Sequence, residues 1–340
     1  MRVYSRLTGH LVLRDRLCAA CTLSLLILAG CAGPESHPSG APIVSNAYAP
    51  LPDTVAPLGP RRTLPSRNVL YVSDVLDSRV DLYPLNTIDP QPIGEIVQGI
   101  DTPTGLAVDS AHNLYVADNE TRTVTGIAKG LPNPLPVYPR GSGLPSFMYF
   151  EDLHHPTDVA VGGDGTVYVA SFGDGYVTEF PNGSLTPSLH FRPPSGSAFA
   201  VALDAQNNLY VACTTSNAVF KFPPGSSQGT NLGLALAGEP HGMTFDDSGN
   251  LLVAVSVAPN TGSVVDVFPP GHTMPSKAIA GTFQPFMIDF DKTRRHLYVA
   301  DFGSGNHDGG VFEFAYPSGR VVTEYTHGGA SAAYGVATNP

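Results

Sequence analysis

The chain has 340 residues with 36 glycines and 32 prolines, a fifth of the total, and 42% apolar residues. It is rich in turns yet apolar enough to bury a sizeable core, which excludes wholesale disorder. Charged residues make up only 14% and the formal charge is −11, so long solvated helices and a basic nucleic-acid surface are both excluded.

Arg14 and Arg16 precede an apolar run from Leu17 to Leu28 that ends in Leu28-Ala29-Gly30-Cys31. A basic start, a short apolar stretch and small residues at the cut predict a secretory signal over residues 1–30. The run is too short for a comfortable membrane span. Its last four residues resemble a bacterial lipobox, which implies that Cys31 carries lipid. Ala32 stands where an inner-membrane retention signal would place Asp, so the resemblance implies the outer membrane of a Gram-negative envelope. An ordinary cleaved signal is the alternative reading. Cys18 and Cys21 leave with the signal, so Cys213 is the one thiol left and no disulfide framework is expected. Residues 31–67 read as a lipidated Cys and a flexible tether, punctuated by prolines from Pro34 to Pro65.

From Asn68 onward one phrase recurs six times. Its second half reads Asn68-Val-Leu-Tyr-Val-Ser-Asp74, then Asn113-Leu-Tyr-Val-Ala-Asp118, and so on to His296-Leu-Tyr-Val-Ala-Asp301. Tyr71, Tyr115, Tyr168, Tyr210, Leu252 and Tyr298 lie 44, 53, 42, 42 and 46 residues apart. Such periods, each with several short β-branched runs broken by Gly and Pro, predict an all-β, six-bladed propeller of four-stranded blades over 68–340. The chain enters on a second strand at Asn68, and Ala333–Thr338 reads as a first strand with nothing after it. Pairing the two in one blade closes the ring and removes its sheet edges.

Pro-x-Gly-x-Ala-x-Asp, a tight turn, then Asn-Leu-Tyr-Val-Ala-Asp resembles the NHL repeat across 68–340. That resemblance implies the fold and is nearly silent on activity. Relatives include binding modules, receptor sensor domains, gluconolactonase-like lactonases and metal-dependent lyases. In such a fold two rings of side chains surround the top of the channel. The residue after each Pro (or its equivalent) gives Thr104, Thr157, Phe199, His241, Phe286 and Tyr334. The residue ending each second strand gives Asp74, Asp118, Ser171, Cys213, Val255 and Asp301. The connection 131–155, with Phe147–Phe150, Glu151, Asp152, His154 and His155, is expected to cover this face as a lid.

The recurring Asp residues are expected to accept backbone N–H bonds at strand ends. Phe199, Phe286, Tyr334 and Phe172 are expected to form an exposed aromatic platform, with His241 as a hydrogen-bonding or metal-binding group. On that reading His241→Ala and Phe286→Ala leave the melting temperature nearly unchanged. The candidate binding set is His241, Phe286, Tyr334, Asp301, Asp118, Phe199 and His155. The lactonases hold a divalent ion with Glu, Asn and Asp, and neither ring here contains Glu or Asn. The lyases use several His, and only His241 lies on a ring. The expectation is a monomeric, non-catalytic module on the cell envelope that binds a protein, peptide or glycan, with no cofactor and no nucleic acid. The alternative is a lactonase-like hydrolase or lyase holding a divalent metal ion at the channel mouth.

The lipobox reading carries its own test. Cys31→Ser removes the thiol placed for acylation, so the protein moves from the membrane pellet to the soluble fraction on fractionation; an unchanged pellet sinks the reading.

Overall fold

The computed structural model describes residues 68–339 apart from 86, 88, 89, 98, 128–146, 150–151, 259–261, 304–308 and 326–331. The segments expected to be a signal and a tether, with Cys31, and also Phe150 and Glu151, lie outside the described residues.

Each repeat folds into one antiparallel four-stranded sheet, six in all among the described residues, arranged as the blades of a six-bladed β-propeller. The inner strands, in ring order, are Ala333–Asn339 in blade 1, Pro103–Val108 in blade 2, Pro156–Val161 in blade 3, Ala200–Leu203 in blade 4, Glu239–Phe245 in blade 5 and Pro285–Phe290 in blade 6. Among the described residues the one helical element is a 3-10 turn at Thr214–Ser216.

The Leu-Tyr-Val-Ala phrase supplies the second strand, and its Val is the most deeply packed position. Val72, Val116, Val169, Val211, Val253 and Val299 are all fully buried, each contributing about 1.5–3 kcal/mol by leaving water. The turn before it has a fixed chemistry. Asp109 accepts the backbone N–H of Asn113 at 2.8 Å and its side-chain N–H at 2.8 Å. Asp204 with Asn208 and Asp246 with Asn250 repeat the arrangement. An Asp and Asn four residues apart therefore hold the hairpin at the bottom of the blade, and the acidic turn 246–250 is built for that purpose.

Ring closure follows the expected scheme. Val69–Asp74 pairs with Ala333–Asn339 in the register Val69↔Asn339, Leu70↔Thr338, Tyr71↔Ala337 and Val72↔Val336. The closing strand also bonds across to blade 6, where Thr338 Oγ1 donates to the Phe290 carbonyl at 2.7 Å.

Most of the expected lid, residues 131–146 and 150–151, lies outside the described residues, and the part that is described serves the perimeter. Phe147–Tyr149 is the outermost strand of blade 2, with Val124↔Tyr149 in register. Tyr149 and Leu153 pack into the core shared with blade 3, where Tyr149 meets Phe180 at 4.8 Å. Tyr149 and Leu153 are thereby committed to the gap between blades 2 and 3.

Deleting Ala333–Pro340 removes the inner strand of blade 1 and exposes two sheet edges at the axis. A large loss of cooperativity in the thermal melt is expected, against little change on deleting an equal length from residues 32–67. Equal midpoints would show that the closing strand is dispensable.

Candidate functional site

At the top of the channel the inner strands of blades 2, 3, 5 and 6 are irregular, whereas Ala200–Leu203 of blade 4 pairs in unbroken register. Register shifts fall between Pro103 and Leu106, Pro156 and Asp158, Pro240 and Met243, and Pro285 and Ile288. A bulge re-aims side chains, and here it turns the residue after the Pro into the channel mouth.

Two of these positions are threonines that bind the next blade. Thr104 Oγ1 reaches the Pro156 carbonyl at 3.0 Å, and Thr157 Oγ1 donates to the Phe199 carbonyl at 2.6 Å. The other four are rings, and they fill the mouth. His241 stacks on Phe286 at 4.5 Å with 10° between planes. Phe286 meets Tyr334 at 4.3 Å, and Phe199 meets His241 at 4.9 Å and Tyr334 at 6.2 Å. Phe199 and Phe286 are each 5% exposed and His241 4%. The expected solvent-facing platform is thus a packed plug. Six strands converging on one axis leave these rings no open rim to occupy, so they cover one another. Of the candidate rings only Tyr334 keeps partial exposure, together with Phe302, which packs on Phe286 at 5.7 Å.

His241 is held as a neutral base. A carbonyl can only accept, so Nδ1 carries the proton and donates to Pro285 O at 3.0 Å. Burial pushes the imidazole down to about 4, against a smaller upward pull from that bond. Its Nε2 lies 3.9 Å from Glu239 Oε2.

The ring of strand-end residues is structural where the sequence suggested. Asp118 is buried and accepts the N–H groups of Asp101 at 2.6 Å, Thr102 at 3.2 Å and Thr121 at 3.2 Å. Asp301 does the same for Phe283, Gln284 and Gly303 at 2.6, 3.1 and 2.8 Å. Each carboxylate fastens the chain entering its blade to the strand beside it. Cys213 is fully buried, and burial pushes its thiol up to about 12, so no thiolate is available for nucleophilic chemistry. His155, half-buried with φ 54°, donates from Nδ1 to Asn119 Oδ1 at 3.0 Å and lies outside the plug. His154 is exposed and pairs with Asp174 at 2.8 Å.

Below the plug the channel widens into a cavity of about 200 Å³ that runs toward the hairpin end of the blades. Val161, Leu203 and Phe245 at its lower end are partly exposed, so the cavity opens on the bottom face. Asp158 lines it, 6% exposed, with Oδ2 accepting Val201 N–H from blade 4 at 2.9 Å. Burial lifts this carboxyl to about 7, against the downward pull of backbone N–H bonds from Val201 and Val159. Near the opening, Asp289 accepts Thr338 N–H at 2.9 Å and Phe290 N–H at 2.8 Å, while Arg294 donates to the Phe245 carbonyl at 2.9 Å. Asp158 was absent from the sequence-derived candidates. Its signal is the repeat itself, in which Pro-Thr-Asp replaces Pro-Thr-Gly in blade 3.

No protein-family model matches the chain, and no curated protein matches it in sequence. Solved structures do. A chain of the nidogen/laminin complex superposes with a TM-score of 0.63 at 15% identity, over 79% of this chain and 97% of that one. A protein of unknown function from Bacteroides caccae gives 0.58 at 13%, over 79% and 97%. Virginiamycin B lyase from Staphylococcus aureus gives 0.53 at 11%, over 81% and 86%. The likeness is one of fold. Within that fold the neighbours include both a component of a binding complex and an enzyme.

Two outcomes follow from the plug. Phe286→Ala empties a packed position and lowers unfolding stability by about 3–5 kcal/mol in denaturant titration, which replaces the neutral outcome expected of an exposed platform. His241 takes up its proton less readily folded than unfolded, so its share of stability is present above pH ~6.5 and is lost as pH falls toward ~4. His241→Phe keeps a ring there without a titrating group, and melts at pH 7 and pH 4 show a smaller acid loss than wild type, by up to about 3 kcal/mol.

Proposed function

We propose that this chain is an envelope-anchored, NHL-type propeller that binds a protein, peptide or glycan through its top face and performs no chemistry of its own. In this reading residues 1–30 direct export, Cys31 carries the lipid, and the Pro-rich segment to residue 67 spaces the propeller from the bilayer.

One observation carries the proposal. Related lactonases and lyases hold their ion in the channel, within reach of a substrate from solvent. In this chain the top of the channel is occupied by Phe199, His241 and Phe286, each 5% exposed or less, and the His241 Nδ1 proton is spent on a backbone carbonyl. A partner arriving from above meets a closed floor in place of a cleft, which suits recognition by surface complementarity. The contact zone is the floor's partly exposed rings, Tyr334 and Phe302, and the loops around them that carry exposed Glu120, Arg122, Asp152 and His154. Aromatic groups with one face open supply contact area at low entropic cost.

The full chain, immobilised through its N-terminal end, is screened against envelope glycans and purified extracytoplasmic proteins. The expected result is a saturable partner whose affinity falls at least ~10-fold with Tyr334→Ala, together with no lactone turnover when Ca²⁺, Mn²⁺ or Zn²⁺ is added. Metal-dependent turnover would overturn the proposal in favour of the hydrolase reading.

A further inference from the structure

The chain enters the ring at its bottom face. Asn68 precedes the second strand of blade 1, at the end where Asn113, Asn208 and Asn250 form the bottom hairpins of their blades. Blade 1 is fastened to blade 6 through Thr338, and basic residues gather at that corner. Residues 68–340 contain 11 Lys and Arg, of which five fall between 277 and 320. Three more, Arg61, Arg62 and Arg67, shortly precede Asn68 in the sequence.

Hairpin 291–296 and turn 315–320 lie side by side at the foot of blade 6. Tyr316 N–H donates to the Arg295 carbonyl at 2.7 Å, and Ala315 pairs with both His296 and Arg320. Lys277 of blade 5 reaches the same turn, where its Nζ donates to the carbonyls of Pro317 and Ser318. Lys292, Arg295 and Arg320 are exposed and form no ion pair among the described residues. The carboxylates of this corner are occupied internally. Asp291, 5% exposed, accepts the Thr293 hydroxyl at 2.7 Å and the N–H groups of Arg295 and His296 at 3.1 Å. Glu313, 1% exposed, is held by His296 and by the Tyr325 hydroxyl at 2.9 Å. Asp246 accepts the Tyr316 hydroxyl at 2.7 Å, and exposed Asp247 lies 3.9 Å from Arg294. The exposed charge left without a partner is therefore positive, on a chain whose formal charge is −11. The hairpins of blades 2 to 5 carry Asp109, Asp164, Asp204 and Asp246, so the basic surface is confined to the corner where the chain enters.

We propose that this corner docks on an anionic lipid bilayer, which turns the bottom face to the membrane and presents the top face outward. The inference rests on the reading of Cys31 and the segment after it as a lipid anchor and tether. Each Lys or Arg close to an anionic surface strengthens binding roughly 5-fold, and salt screens the effect beyond a Debye length. A few such charges hold a free protein weakly. They suffice to orient one that an anchor already keeps at high effective concentration. The position of the patch matters as much as its sign, because it adjoins the point where the tether joins the ring. The tether sets how far the propeller can travel, and the basic corner sets which face comes down.

Co-sedimentation of the mature chain 31–340 carrying Cys31→Ser tests the docking without lipid. Its outcome is thus separate from the anchoring reading, which cell fractionation decides alone. The probes are vesicles of mixed phosphatidylglycerol and phosphatidylcholine, and vesicles of phosphatidylcholine only. At low salt the anionic vesicles are expected to bind at least ~10-fold more protein, and high salt removes the difference. Arg295→Glu and Arg320→Glu each lower anionic binding at least ~5-fold. Arg192→Glu makes the same charge change at the top of blade 3 and leaves binding within ~2-fold. The vesicle comparison itself needs no variant. Equal binding to the two vesicles overturns the proposal, as does a loss with Arg192→Glu matching that with Arg295→Glu. Binding to soluble dextran sulfate with none to vesicles also overturns it, and assigns the corner to a polyanionic glycan.

Discussion

Around the axis of the ring the six inner strands approach until backbone touches backbone. A Cβ on Gly335 would lie 2.0 Å from the Thr104 carbonyl oxygen, and one on Gly105 would lie 2.4 Å from Asp158 Cα. The channel follows from that approach. Side chains near the contact are turned up into the mouth or down along the bore. Neighbouring blades are then tied by short buried bonds: Ser73 Oγ to the Thr104 carbonyl at 2.6 Å, Thr104 to Pro156, Thr157 to Phe199, and His241 to Pro285. Each contributes about 1 kcal/mol net, and more would be lost by stranding a buried carbonyl. Where the girdle has Phe199, Phe286 and Tyr334, which reach no carbonyl of the next blade, ring stacking takes over.

The same low polarity acts on two titratable groups in opposite senses. His241 gives up its charge because the neutral imidazole is easier to bury. Burial raises the Asp158 carboxyl to about 7 for the same reason, so its charged form is disfavoured. The upper channel is thereby electrically quiet, and the lower one is lined by the carboxyls of Asp158 and Asp289 with Arg294 beside them. Packing and electrostatics divide the bore into an upper half filled by rings and a lower half that is open and polar.

The blades were legible because their signals are local and repeated. The Leu-Tyr-Val phrase, the Asp and Asn pair of each hairpin and the missing first strand at Asn68 each report on neighbours a few residues away or on a counted repeat. The roles of Asp118 and Asp301 were readable for the same reason, since strand-end carboxylates serve the adjoining backbone. The burial of Phe199, His241 and Phe286 was not readable. It arises from four positions more than forty residues apart meeting at one point, and nothing in any single repeat states how narrow the ring is. The strand at Phe147–Tyr149 was mistaken for a cover because its apolar residues suit either place. Asp158 could have been found by asking which blade puts a charged residue at the position of Gly105, Ala200, Gly242, Met287 and Gly335, a question about the exception where the repeat invites attention to the rule.

The pairing of Val69–Asp74 with Ala333–Asn339 places the two halves of blade 1 at opposite ends of synthesis. At ~5–20 residues per second, roughly 15–50 s separate the emergence of one strand from that of the other. Through that interval the early strand has no mate on one side, and every blade made after it stands in an open arc. Of the described strands the closing one, Ala333–Asn339, is made last, and its pairing with Val69–Asp74 converts the arc into a ring.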